Sequence, residues 1–139
     1  MNVILNCCAE KGRAGYTLEV GGKVVEKNAY NLPTDGSSKL KEFVFDAIIK
    51  GLKVARTYIN HEDLLLIAVP NAHMADWLNG SRDYKGYETY LDEISDIIET
   101  LDCRYLFAKK DMRKVKKMLS EYKKTETLTG VSSLLEEFE

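Results

Sequence analysis

Eight Lys or Arg residues crowd into positions 109–124: Lys109, Lys110, Arg113, Lys114, Lys116, Lys117, Lys123 and Lys124. Only Asp111 and Glu121 oppose them, a local balance of +6. The whole chain carries −2, so the remaining residues must carry −8. Clustered cations attract phosphate whatever the base sequence, and salt weakens that attraction. Lys110, Arg113, Lys114, Lys116 and Lys117 are therefore the candidate nucleic-acid contacts. The plainer reading of such a run is a solvated helix face.

Other reactive side chains are sparse. Cys7 and Cys8 are adjacent in an apolar run, and Cys103 stands apart. With no CxxC pair and no clustered histidine, a zinc site is not expected, and the thiols read as small buried side chains. A Cys8–His73 nucleophile pair is conceivable because both fall near strand ends, although loop histidines are usually only polar. No P-loop, GxGxxG or GxSxG motif is present, so no nucleotide cofactor is expected.

These residues need elements to position them. Residues 3–9, VILNCCA, form the continuous apolar run of a central strand covered on both faces. Arg13 to Gly15 punctuate, and Tyr16, Leu18 and Val20 then alternate with polar residues as a half-buried strand. Gly21-Gly22 turns a hairpin into a third strand, Lys23 to Tyr30. A loop over 31–38 leads to a long helix capped by Ser37 or Ser38. Its inward stripe is Leu40, Phe43, Val44, Ala47, Ile48, Gly51, Leu52, Ala55, Tyr58 and Ile59, with Glu42 and Asp46 on the solvent side.

Leu64 to Val69 is a fourth strand, stopped by Pro70, and a short helix carries Met74, Trp77 and Leu78. After a polar connection, Gly80 to Gly86, a helix from about Tyr87 to Leu101 turns Tyr87, Tyr90, Leu91, Ile94, Ile97, Ile98 and Leu101 inward. Its outer face is acidic, with Glu88, Asp92, Glu93, Asp96 and Glu99. Arg104 to Ala108 is a fifth strand, and the basic helix rests on Val115, Met118, Leu119 and Tyr122. Ser133-Leu134-Leu135-Glu136 is a capping-box pattern, making 125–139 a short helical segment. Leu134, Leu135 and Phe138 there are candidate contacts for a protein partner or for the chain's own core.

The expected architecture is thus α/β: a mixed five-stranded sheet in the order β-β-β-α-β-α-α-β-α, with helices on its faces. At 139 residues, with 45% hydrophobic and 30% charged residues, the chain reads as one globular domain over 1–139. No apolar run reaches the roughly 20 residues of a membrane span, and the amino terminus lacks a basic n-region. A cytoplasmic location is expected.

The order of elements resembles the ribonuclease H fold, and local residues sharpen the likeness. FVFDAIIKGLKVA (43–55) resembles that family's first-helix pattern, A-E-Y-x-A-L-I-x-G-L-x-x-A. VPNAHMADWLNG (69–80) resembles its fourth strand and next helix, G-D-S-x-x-V-x-x-x-L-N-G. The resemblance implies four carboxylates holding two divalent metal ions. Carried over, those positions fall on or beside Asn6, on Val44, on Pro70 and near Lys117. An amide, a valine, a proline and a lysine do not supply the anionic oxygens that hard cations require. Glu10, Glu42 and Asp46 are the nearest carboxylates that a relocated site would use.

The sequence therefore favours a catalytically inactive ribonuclease H-like domain that works by binding, with no cofactor and no membrane partner. Its partner is nucleic acid through the basic helix, or a protein through the acidic helix or Leu134, Leu135 and Phe138. An accessory or inhibitory factor, of phage or mobile-element type, would suit such a domain by fold analogy. The competing expectation is a divergent nuclease with a relocated metal site.

Overall fold

The computed structural model describes residues 2–10, 12–33, 39–80 and 86–121. Three strands open the chain: β1 (Asn2–Glu10), β2 (Arg13–Val20) and β3 (Lys23–Asn31). Then follow α1 (Leu40–Ala55), β4 (Leu64–Val69), α2 (Ala72–Leu78), α3 (Glu88–Leu101) and β5 (Arg104–Lys109). A fourth helix, α4, is described over residues 113–121. This is the expected order of elements. The Ser133 capping box, the 125–139 helix, Leu134, Leu135 and Phe138 lie outside the described residues, as do Tyr122 and Lys123.

The five strands form one sheet in the order β3-β2-β1-β4-β5. β1, β2 and β3 pair antiparallel, whereas β1, β4 and β5 run parallel. Helical crossovers are what parallel neighbours require, and α1, α2 and α3 supply them. Odd-numbered residues of β1, Val3, Leu5 and Cys7, join the main core with Leu18, Ile48, Leu52, Leu65 and Ile67. The even-numbered Cys8 faces the other way and packs with Ala68, Met112, Val115 and Leu119 beneath α4. The period of two along a strand makes this division.

Several local expectations change. Gly15 lies inside β2 rather than ending it. A Cβ there would sit 2.7 Å from Leu119 Cδ2 and 3.0 Å from Met118 Cε. The glycine lets α4 approach the sheet closely. The cap of α1 is Lys39 instead of Ser37 or Ser38, because Glu42 reaches back to accept from the Lys39 amide at 2.9 Å. Leu40 is exposed, whereas Phe45 and Ile49 are buried. Helix α1 touches β1 and β2 on one side and α3 on another, so a single stripe understates its buried surface.

Asp46 also departs from its expected solvent side. It accepts a 2.7 Å hydrogen bond from the Tyr30 hydroxyl on β3 and pairs with Lys50 at 3.2 Å. The Lys50 ammonium lies 3.9 Å from the centroid of the Tyr30 ring. Burial, then the bond to Asp46, pushes the Tyr30 hydroxyl far above its ordinary titration range. Long side chains on β3 reach across to α1, which helical spacing alone does not reveal.

The Leu-Asn-Gly ending of α2 has a structural role. Asn79 Nδ2 donates to the Phe107 carbonyl at 2.8 Å, and its Oδ1 accepts from the Phe107 amide at 3.2 Å. The side chain thereby stands where a sixth strand would pair with edge strand β5. Asn79→Ala should cost about 1–2 kcal/mol, since both backbone groups lose a partner at a half-buried edge. A fall in the urea midpoint without a change in slope would register it; an unchanged midpoint would show the clamp to be dispensable.

Candidate nucleic-acid interface

The candidate contacts sit around the start of α4, on the outer face of the sheet. Met112, Val115 and Leu119 turn into that face and are buried, so the helix is anchored by its apolar stripe. Lys110, Arg113, Lys114, Lys116 and Lys117 are all exposed. They do not form one uniform patch. Lys117 lies opposite the buried stripe with Arg113 and Lys114 on either side of it, while Lys116 falls closer to the stripe, about 160° from Lys114 at 3.6 residues per turn.

Lys110, Arg113 and Lys114 line a cavity of about 570 Å³ whose floor includes Asn6, Thr17 and Glu19. Lys116 is directed to the flank away from that cavity and influences Cys8 electrostatically. Arg113 is held by Asp111, with Nη2 at 2.6 Å and Nε at 2.7 Å from Oδ2. The guanidinium hydrogen bond holds the Asp111 carboxyl below its usual range. Asp111 Oδ1 also accepts from the Arg113 amide at 3.0 Å, securing the first turn of α4. Much of the Arg113 charge is therefore met within the protein, leaving Lys110, Lys114 and Lys117 as the principal cations.

Glu19 was not foreseen. Asn6 pairs with Thr17 across the antiparallel ladder, so Thr17, and Glu19 two residues on, share its face. Asn6 Nδ2 donates to Thr17 Oγ1 at 3.2 Å and to Glu19 Oε2 at 3.0 Å. Asn6 itself is only 9% exposed. Alternation in β2 hinted at a common face for Thr17 and Glu19, but their meeting with Asn6 depends on strand register. The cavity thus presents acceptors on its floor and ammonium groups at its rim.

The residues at the four metal-ligand positions implied by the resemblance do not fit two divalent ions. Asn6 is a neutral amide already bonded to Glu19. Val44 is 1% exposed in the main core, Pro70 follows β4, and Lys117 is an exposed cation. The suggested replacements are otherwise engaged: Glu10 pairs with Arg13 at 3.2 Å, Glu42 caps α1 and Asp46 meets Tyr30 and Lys50. Among the described residues, no group of three or more His, Cys, Asp or Glu side chains is placed to hold a metal ion.

The Cys8–His73 pairing is also overturned. Cys8 lies on the α4 face of the sheet, whereas α2, which carries His73, sends Met74, Ala75 and Trp77 into the core on the opposite face. Burial raises the Cys8 thiol above its ordinary range, which disfavours the nucleophilic thiolate. The acidic positions on α3, Glu88, Asp92, Glu93, Asp96 and Glu99, are exposed as expected. No described helix is long and apolar enough to cross a membrane.

No protein-family model matches the sequence, and no curated protein does at a significant level. Solved structures do match. Ribonuclease H1 from the halophilic archaeon Halobacterium salinarum aligns with TM-score 0.64 and 14% identity, over 84% of this chain and 88% of that one. LC11 ribonuclease H1, isolated from compost by a metagenomic approach, aligns with TM-score 0.67 and 11% identity, over 86% and 89%. A foamy viral protease–reverse transcriptase, solved with an RNA/DNA hybrid, aligns with TM-score 0.57 and 14% identity, over 86% of this chain and 18% of that one. The chain has the ribonuclease H-like fold.

Proposed function

We propose that this chain is a non-catalytic ribonuclease H-like domain that holds a nucleic-acid strand against the start of α4. The observation carrying the reading is the exposed set Lys110, Lys114 and Lys117, two of them at the rim of the cavity over Asn6, Thr17 and Glu19. Ammonium groups along the rim suit successive phosphates, and Lys116 adds charge on the other flank. The non-catalytic part rests on Asn6, Val44, Pro70 and Lys117, which lack the anionic oxygens of a two-metal centre. The structural neighbour solved with an RNA/DNA hybrid supports a nucleic-acid partner for the fold. Contacts of this kind position a strand without reading its bases. The role is that of an accessory or inhibitory binding factor.

A salt titration tests this directly. Single strand, duplex and RNA–DNA hybrid should each bind at low salt, with affinity no tighter than micromolar because the chain's overall charge of −2 opposes a polyanion. For duplex, three phosphate contacts give a log–log slope of about −2.7. With millimolar Mg²⁺ or Mn²⁺ the hybrid should remain intact. Absence of binding by all three nucleic acids at low salt would remove the proposal and favour a protein partner. Metal-dependent cleavage would favour the relocated-site nuclease, with Glu19 and Asp111 in the cavity as the first residues to replace.

A further inference from the structure

Phosphate binding at the rim of the cavity beside α4 leaves its floor unexplained. Glu19 lines that floor, and among the described residues its one hydrogen-bond partner is the Asn6 amide, at 3.0 Å. Among the described ion pairs, none joins Glu19 to Lys110 or Lys114 at the rim. A carboxylate repels the phosphates of a bound strand and can only accept hydrogen bonds. This part of the cavity therefore suits a group that donates.

Asn6 supplies a second acceptor. Because the Glu19 carboxylate only accepts, the Asn6 amide must turn its Nδ2 that way, and Nδ2 also donates to Thr17 Oγ1 at 3.2 Å. Asn6 Oδ1 has no partner among the described residues, although the side chain is only 9% exposed. No described side-chain oxygen is both fully buried and unpaired, so Oδ1 opens onto the cavity that Asn6 lines. Val24 and Val115 give that cavity apolar walls. Its volume of about 570 Å³ falls in the range of small-ligand sites.

Cations at the rim, apolar walls and a floor of acceptors complement a nucleotide whose base edge carries donors. Guanine alone among the common bases presents two adjacent donors, N1–H and the N2 amino group, on its Watson–Crick edge. Adenine and cytosine set one amino group beside an acceptor, and uracil and thymine flank one N–H with carbonyls. We propose that the cavity takes an unpaired guanine, its two donors meeting the Glu19 carboxylate and Asn6 Oδ1 and its phosphate meeting Lys110 and Lys114. Where the base belongs to a strand, the pocket rests on the strand-binding reading above; a free guanine nucleotide offers the same chemistry. The lysine contacts stay indifferent to sequence, and the floor adds a preference for one base.

Fluorescence anisotropy with single strands tests the pocket. An oligothymidylate carrying one guanine should bind about tenfold more tightly than the same strand without it. Inosine in that place, which lacks the N2 amino group, should lose most of the gain. The gain should vanish in a duplex, where the guanine edge is already paired. Glu19→Gln should bring the guanine-bearing and guanine-free strands to equal affinity. Guanosine monophosphate at millimolar concentration, followed through the Thr17 and Val24 NMR signals, separates the two sources. Shifts without any strand binding would support the pocket for a free nucleotide and remove the strand from α4. Strand binding that ignores both guanine and Glu19→Gln would overturn the pocket and leave the strand reading standing. No response to strand or nucleotide would overturn both.

Discussion

Reversing Lys114 and Lys117 to Glu is expected to lower affinity for duplex, hybrid and single strand alike, by about 100-fold at about 0.1 M salt. Each phosphate contact releases about 0.9 of a counterion from duplex DNA, so each is worth roughly tenfold at that salt concentration. Two contacts multiply to the stated figure, and the log–log slope should flatten by about 1.8. Both side chains are exposed, while Val115 and Leu119 of the same helix face the sheet. The thermal midpoint should accordingly stay close to that of the parent. Equal loss across base sequences is part of the expectation, because phosphate contacts carry no base information. A loss confined to one sequence, or a loss of less than about threefold, would contradict the placement of the strand along α4.

The largest expected change in stability comes from Phe45→Ala, at about 3–5 kcal/mol. Phe45 is fully buried, and its ring centroid lies 5.2 Å from Trp77, 5.6 Å from Tyr87 and 5.3 Å from Tyr90. It ties α1 to α2 and to the start of α3. Truncation removes apolar contact and leaves a void that a close-packed interior fills only in part. For a domain with a total stability of about 5–15 kcal/mol, that is about a fifth of the margin or more. Urea unfolding followed by fluorescence of Trp77, the single tryptophan, would measure it. A cost below about 1 kcal/mol would mean that the aromatic group is not packed as described.

A shared fold does not by itself carry an activity with it. The helices and strands keep the arrangement seen in ribonucleases H1, and the metal-ligand positions that the resemblance implies fall on or beside Asn6, on Val44, on Pro70 and near Lys117. Val44 is an example. At 1% exposure it contributes to the core, so an apolar side chain suits the helix whether or not chemistry occurs beside it. Function must therefore be argued from the side chains at the site, since one fold supports many uses.

Periodicity alone determined a good deal about this protein. A seven-residue apolar run, the Gly21-Gly22 turn and the helical stripes of α1 and α3 determine the order of elements and most of the core, because burial follows the periods of two and 3.6. The basic run and the Val115 and Leu119 part of its apolar underside were equally legible, since charge and spacing are local properties, whereas Met112 was not foreseen. What tertiary structure decided is every contact between distant segments. Strand register brought Glu19 to Asn6, and the α1–α3 contact buried Phe45 and Ile49 beyond the stripe. The packing of β3 against α1 drew Asp46 to Tyr30, while the two faces of one sheet separated Cys8 from His73. Gly15 reads as a strand end until α4 is laid upon it, and only then is the missing Cβ explained. Pairings of this kind depend on how elements pack, and a linear pattern records what each segment can bury without saying against which neighbour.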